Sequence, residues 1–147
     1  MGQISDLFRQ LAQVYAPKEI LYPHLKAVTL AQWALESGWG TSPLATDHFN
    51  FGGLKWRPEM QRFATKVRYQ AHDGWDDYCK FASLEKFIEG YWGFLDRAPY
   101  RGWQEHAGAP QTFLEFIAPI YCPGRERYVE DVLEIVPGVE SLLKGPV

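Results

Sequence analysis

The sequence predicts one mainly helical α+β domain, in which helices flank a small antiparallel β-lobe and a cleft opens between lobe and helical body. Three observations carry this. Apolar residues recur at helical spacing before residue 40 and again after residue 83. The stretch between them turns to β-branched and aromatic residues around Asp73-Gly74. Finally, 147 residues with 46% hydrophobic content suffice for one substantial core, and no repeat, low-complexity tract or linker divides the chain.

Taken in order, Ile4, Leu7, Phe8, Leu11 and Tyr15 form the stripe of a first amphipathic helix, capped by Ser5 or Asp6 and ended before Pro17. A second helix is expected from about Pro23 to Glu36, with Pro23 suited to its first turn. Its small residues Ala27, Ala31 and Ala34 permit close packing, which marks it as the buried central helix. Thr41 or Ser42 before Pro43 starts a short helix to about Asp47. Thr65–Gln70 and Trp75–Phe81 are expected to pair, with Asp73-Gly74 as a type I′ turn. Ser83 caps a helix whose face is Leu84, Phe87, Ile88, Tyr91 and Leu95. Pro99 to about His106 reads as a short helix. Pro110 opens another with Phe113, Leu114 and Ile117 inward, and Pro119 ends or kinks it. Tyr128, Val129, Val132, Leu133 and Val136 make the last stripe, which Pro137-Gly138 should stop.

Composition excludes several classes of function. A net charge of -3 gives no general basic footprint and argues against nucleic-acid binding. No apolar run approaches the ~18 residues of a membrane span. The start, MGQISDLFRQLAQVYAP, has neither a basic region nor an apolar core of a secretory signal, and Asp6 breaks the myristoylation pattern. His24, His48, His72 and His106 are scattered without metal-ligand spacing, and no phosphate loop or G-x-S-x-G elbow is present, so no metal or cofactor is expected. Cys79 and Cys122 form no CxxC; two reduced, buried thiols are expected, with one disulfide in an exported form as the alternative. The aromatic share of 16%, with Trp 6 and Tyr 8, suits either a large core or stacking on sugar rings.

The chemistry concentrates in Leu30–Ser42. Glu36 ends an apolar, small-residue helix, followed by Ser37, Gly38, Trp39, Gly40, Thr41 and Ser42, which continue a helix poorly. A carboxylate at the negative end of a helix dipole is disfavoured as the anion, and Trp33, Leu35 and Trp39 nearby should partly desolvate it. Both effects raise its pKa, which is what a general acid needs near neutral pH. The plain alternative is a solvated glutamate that happens to end a helix.

Ala34-Leu35-Glu36-Ser37-Gly38-Trp39-Gly40-Thr41-Ser42, followed by Phe49-Asn50-Phe51-Gly52-Gly53-Leu54-Lys55, resembles the signature of the glucosaminidases of glycoside hydrolase family 73, close to A-x-x-E-S-G-W-G-x-S and then N-x-F-G-x-K. Weaker matches extend the resemblance over roughly residues 5–136. It implies a lysozyme-like domain and an endo-acting β-N-acetylglucosaminidase that cuts bacterial peptidoglycan after GlcNAc, acting at the cell wall, with Glu36 as proton donor. A single domain spanning 1–147, working as a monomer, is the matching expectation. The family's hairpin acid has no counterpart before the turn, where Val67-Arg68-Tyr69-Gln70-Ala71-His72 stands. Asp73 is the nearest acid, with Asp76 and Asp77 beyond it; Asp73 either positions a water or is a plain turn residue, in which case the substrate's 2-acetamido group attacks. Ile120-Tyr121-Cys122-Pro123 with Tyr128 loosely resembles the family's G-Y-A-T-D-P-x-Y segment, so Tyr121 is a candidate for charge stabilisation or for holding the acetamido group, against a core role. Trp39 is a candidate cleft wall or a core residue. Phe49, Asn50, Phe51 and Gly52 are candidate substrate-binding residues, the alternative for Asn50 being local bonding in a tight turn. Lys55, Arg57, Arg62, Lys66 and Arg68 make the lobe locally basic, suited to peptidoglycan carboxylates or simply solvated. Muramidase, lytic transglycosylase, chitinase-like activity and a catalytically weak glycan-binding module are the alternatives; Phe51-Gly52-Gly53-Leu54-Lys55 departs from the G-L-M-Q-like segment of transglycosylases.

Overall fold

Trp33 stands at the centre of the computed structural model, which describes residues 4–144. The readings of the start MGQISDLFRQLAQVYAP as neither leader nor acylation site fall in part on residues 1–3, outside the described residues. The Trp33 ring centroid is 4.7 Å from that of Tyr15, 4.8 Å from Phe87 and 5.1 Å from Tyr91. These partners come from α1 (Asp6–Tyr15) and α4 (Leu84–Leu95), and Trp33 itself from α2 (Lys26–Ser37). The predicted stripes are the buried ones: Phe8, Leu11 and Tyr15 on α1, and Phe87, Ile88, Tyr91 and Leu95 on α4. Ser5 caps α1 by accepting from the Phe8 N–H, and Ser83 caps α4 by accepting from the Lys86 N–H.

Around this centre the chain adds α3 (Pro43–His48), α5 (Pro110–Tyr121) and α6 (Tyr128–Leu143). Short 3-10 turns occupy Pro23–Leu25, Pro58–Met60, Ala98–Tyr100 and Trp103–His106. The first of these replaces the expected first turn of α2: Pro23 does open the segment, but as a separate turn. The stretch from Pro99 divides likewise between two 3-10 turns. α2 is buried on nearly every side, and its main neighbour is α6.

The β-lobe is a two-stranded antiparallel sheet, β1 (Thr65–Ala71) with β2 (Gly74–Lys80), in register Ala71↔Gly74 through Thr65↔Lys80. The register corrects the turn reading. His72 and Asp73 are the central pair and neither has positive φ, whereas Gly74 takes φ +112° as the first strand residue. The turn is therefore not type I′, which needs positive φ at both central positions. Phe81 and Phe63 seat the lobe on Gly90 and Gly93 of α4, where a Cβ at either glycine would overlap the facing phenyl ring.

The expected stop at Pro137-Gly138 is also corrected. α6 runs through both residues to Leu143. A proline inside a helix costs about 3 kcal/mol in isolation, but Val139 beyond it is fully buried and Leu142 and Leu143 pack against the core. Gly138 backs onto Trp39 at ordinary contact distance. Burial of this last turn outweighs the local penalty. Pro119 similarly lies within α5 and does not end it.

Phe87 touches the rings of Trp33, Phe51 and Phe81 at 0% exposure. Phe87→Ala should lower unfolding stability by about 3–5 kcal/mol in urea titrations. A loss under about 1 kcal/mol would mean the cluster closes around the gap.

Candidate active site

α2 ends in a turn that its sequence builds residue by residue. Gly38, Trp39 and Gly40 all have positive φ, at +58°, +58° and +83°. Ser37 Oγ donates to the Trp33 carbonyl at 2.7 Å and accepts from the Gly40 N–H at 2.8 Å. The Trp39 carbonyl accepts from Ser5 Oγ at 2.8 Å, tying the turn to the start of α1. A Cβ at Gly40 would lie 2.6 Å from Ser5 Oγ and 3.0 Å from Phe8 Cβ, so only glycine allows this approach. Trp39 is 8% exposed with its ring 5.5 Å from Phe8, which places it in the core instead of along a cleft.

Glu36 projects from the last turn of α2. Tyr128, at the start of α6, donates its hydroxyl proton to Glu36 Oε2 at 2.7 Å. The Tyr128 oxygen in turn accepts from Gln32 Nε2 at 3.0 Å, and Gln32 Oε1 accepts from the fully buried Tyr91 hydroxyl. Glu36 Oε1 faces the Gly52-Gly53 loop, 3.5 Å from where a Gly53 Cβ would stand. Burial raises the Glu36 pKa; donation from Tyr128 and the nearby charges of Arg125 and His72 oppose that, with burial dominant. No carboxylate is among the groups that act on it.

Tyr121, at the end of α5, donates its hydroxyl proton to the Gly52 carbonyl, and a Cβ at Gly52 would sit 2.7 Å from that hydroxyl. Gly52 therefore has to be glycine for Tyr121 to hold the loop. Its ring stacks near that of Tyr128 at 6.4 Å. Glu36, Tyr121 and Gly52 are thus brought together.

The other candidates go elsewhere. Asn50 is 1% exposed and its amide is wholly engaged with backbone: Nδ2 donates to the Leu54 and Cys79 carbonyls, and Oδ1 accepts from the Gly52 and Leu54 N–H groups. It is the frame of the loop, the local-bonding alternative. Phe51 is fully buried against Phe87, and Phe49 caps α3 with φ +54°. Asp73, half-exposed in the turn, pairs with Lys55 at 3.6 Å. Asp76 pairs with Lys55 and Arg57, and Asp77 with Arg68, which neutralises much of the expected basic face. Cys79 is buried with its thiol pushed up to about 12 by burial, whereas Cys122 is half-buried beside the site; both are free.

Sequence reasoning placed Tyr128 in a helix stripe and in the segment loosely similar to G-Y-A-T-D-P-x-Y without giving it a role in the site, and missed Gln32, Arg125 and His72. The available signal was Gln32 itself, a polar side chain one turn before Glu36 on an otherwise buried helix. A cavity of about 510 Å³ is lined by Tyr22, Phe63, Trp92, Arg97 and Trp103 among others and includes no residue of this cluster. Among the described residues no group of His, Cys, Asp and Glu is arranged to hold a metal ion, and no helix is long and apolar enough to cross a membrane.

A helical body, a two-stranded lobe and a desolvated glutamate closing the central helix define a lysozyme-like glycoside hydrolase domain. The chain belongs to the glucosaminidase family of endo-β-N-acetylglucosaminidases: the family model described as mannosyl-glycoprotein endo-β-N-acetylglucosaminidase matches residues 12–140. Its fold is similar to that of the catalytic domain of the autolysin Auto from Listeria monocytogenes, with a TM-score of 0.62 and 19% identity over 98% of this chain and 90% of that one. No curated protein matches the sequence.

The raised Glu36 pKa has a stability consequence. The folded state binds this proton more tightly than the unfolded chain, so the contribution is fully present below the ordinary value of 4.5 and is lost as pH rises through the folded value. Glu36→Gln should therefore raise Tm relative to wild type at neutral pH, and the gain should vanish as pH falls to about 4. An equal Tm at neutral pH would show that the carboxylate carries no burial penalty.

Proposed function

We propose that this glucosaminidase cleaves the β-1,4 bond after GlcNAc in bacterial peptidoglycan, at the cell wall, with Glu36 as general acid. The observation that carries the assignment is a carboxyl desolvated at the end of the central helix and held by Tyr128. The polymer is supported by the similarity in fold to a domain named as an autolysin's, and by the E-S-G-W-G and N-x-F-G signatures.

Glu36 Oε1, on the side of the Gly52-Gly53 loop, gives its proton to the glycosidic oxygen as the bond to the anomeric carbon breaks. The positive charge that develops there is met by the carbonyl oxygen of the substrate's own 2-acetamido group, which closes a ring onto the anomeric carbon. Water then opens this intermediate while the Glu36 carboxylate takes its proton. Tyr121, whose proton is committed to the Gly52 carbonyl, keeps an oxygen lone pair to accept the acetamido N–H and orient that attack. Pairing of Asp73 with Lys55 favours this route over one in which Asp73 activates water. That second route would invert the anomeric centre across carboxyls about 6.5–9.5 Å apart.

The test is a digest of purified peptidoglycan, borohydride-reduced and read by mass spectrometry. Reduced GlcNAc ends are expected. Reduced MurNAc would make the chain a muramidase, anhydro-MurNAc a transglycosylase, and no product on several wall types a binding module. Glu36→Gln should cost about 10²–10⁴-fold in turnover with the fold retained. Asp73→Asn should stay near the wild-type rate; a loss of orders of magnitude would restore Asp73 as the residue that handles water. Tyr121→Phe should lower kcat about tenfold with KM little changed, and an unchanged kcat would return Tyr121 to a purely structural role.

A further inference from the structure

The hydrogen bonds behind Glu36 run in one direction. A buried tyrosine hydroxyl needs an acceptor inside the protein, and Tyr91, at 0% exposure, finds it in Gln32 Oε1, an atom that can only accept. The Gln32 amide is thereby oriented with its NH₂ toward Tyr128, where it donates to the phenol oxygen at 3.0 Å. With that oxygen already accepting, the Tyr128 proton points at Glu36 Oε2, 2.7 Å away. A reversed amide would turn the Gln32 carbonyl toward Tyr128, draw off the Tyr128 proton and leave Glu36 without its donor.

We propose that Tyr91 and Gln32 are positioning residues for the acid: the chain Tyr91–Gln32–Tyr128 locks Tyr128 as a donor to Oε2 and leaves Oε1 as the oxygen that carries the transferable proton. The inference rests on the reading of Glu36 as general acid. It gives a buried glutamine and a core tyrosine, remote from any sugar, a part in setting which face of the carboxyl is acidic. The groups around the carboxyl belong to several elements: Tyr128 from α6, Tyr121 and Cys122 from the end of α5, Tyr91 from α4, Tyr100 from a 3-10 turn, Arg125 before α6 and His72 from the hairpin turn. Only Tyr128 hydrogen-bonds to it among the described residues, so the direction of that one donor decides between the two oxygens.

The experiment is ¹³C NMR of glutamate labelled at the side-chain carboxyl, with the Glu36 resonance assigned through Glu36→Gln. It is followed through pH in wild type, Tyr128→Phe, Tyr91→Phe and the double variant. Tyr128→Phe removes donation to the anion and should move the Glu36 titration upward by about one pH unit. Tyr91→Phe should move it the same way by a smaller amount, because polarisation along the chain weakens, and should add nothing when Tyr128 is already phenylalanine. The alkaline limb of the kcat profile, where a general acid is lost, should follow the same order.

A displacement by Tyr91→Phe that is equal with and without the Tyr128 hydroxyl, or no displacement while Tm falls, overturns the proposal. If Tyr91→Phe does not fold, Gln32→Met breaks the same chain and should shift the titration upward; an unmoved titration again overturns it. Should the titrations behave as expected while the kcat limb ignores them, it is the acid assignment that fails, because the NMR readout does not depend on turnover.

Discussion

A helix buried on nearly all its faces that nevertheless ends on a carboxylate is the constraint around which the rest of this protein is arranged. Trp33, Ala31, Ala34 and Leu30 require α2 to lie at the centre, and that placement carries Glu36 to a site where its charge is penalised. The molecule answers with a single neutralising donor, Tyr128, and with two more distant charges, Arg125 and His72. The compensation is incomplete: burial dominates and holds the Glu36 pKa above its ordinary value.

Seen from Glu36, most of the signature run that surrounds it is scaffold. Ser37 closes the turn, Gly38 and Gly40 supply the left-handed backbone, Trp39 fills the space between α1 and α6, and Ser42 caps α3. The second signature behaves in the same way. Asn50 is spent on backbone, and Phe51 anchors the loop in the core, so that Gly52 and Gly53 can come up against Tyr121 and Glu36 without side chains of their own. A motif that reads as a set of candidate site residues is chiefly the mould for one carboxylate.

This explains which parts were legible in the sequence. Helices α1, α4 and α5 could be read from apolar spacing together with a serine cap or an opening proline, signals that are local. Glu36 was legible because a carboxylate ending an apolar helix is locally anomalous. The continuation of α6 past Pro137 was not, since the burial of Val139 and the seating of Gly138 on Trp39 are long-range facts that outweigh a local penalty. The hairpin shifted by one residue because strand register, set by the Lys55–Tyr78 bridge and the pairing of Leu54 with Cys79, took precedence over the turn preference of Asp-Gly. Tyr128 was hidden for another reason: it satisfies a helical stripe so well that its hydroxyl attracts no notice until α2 is in place, whereas Gln32 stood out as polar but had no visible partner.

The seating of Phe63 and Phe81 on Gly90 and Gly93 has a mechanical side. With no Cβ between ring and helix backbone, the base of the lobe is joined to α4 at van der Waals contact and has no room to slide or roll. Lobe base and helical body therefore move as one piece. Farther out the hairpin is held as well, by the Lys55–Tyr78 bridge, by the Trp56 N–H donating to the Asp77 carbonyl and by the Cys79 N–H donating to the Leu54 carbonyl. The hairpin turn carries His72, so the same brace also fixes where one of the charges acting on Glu36 stands.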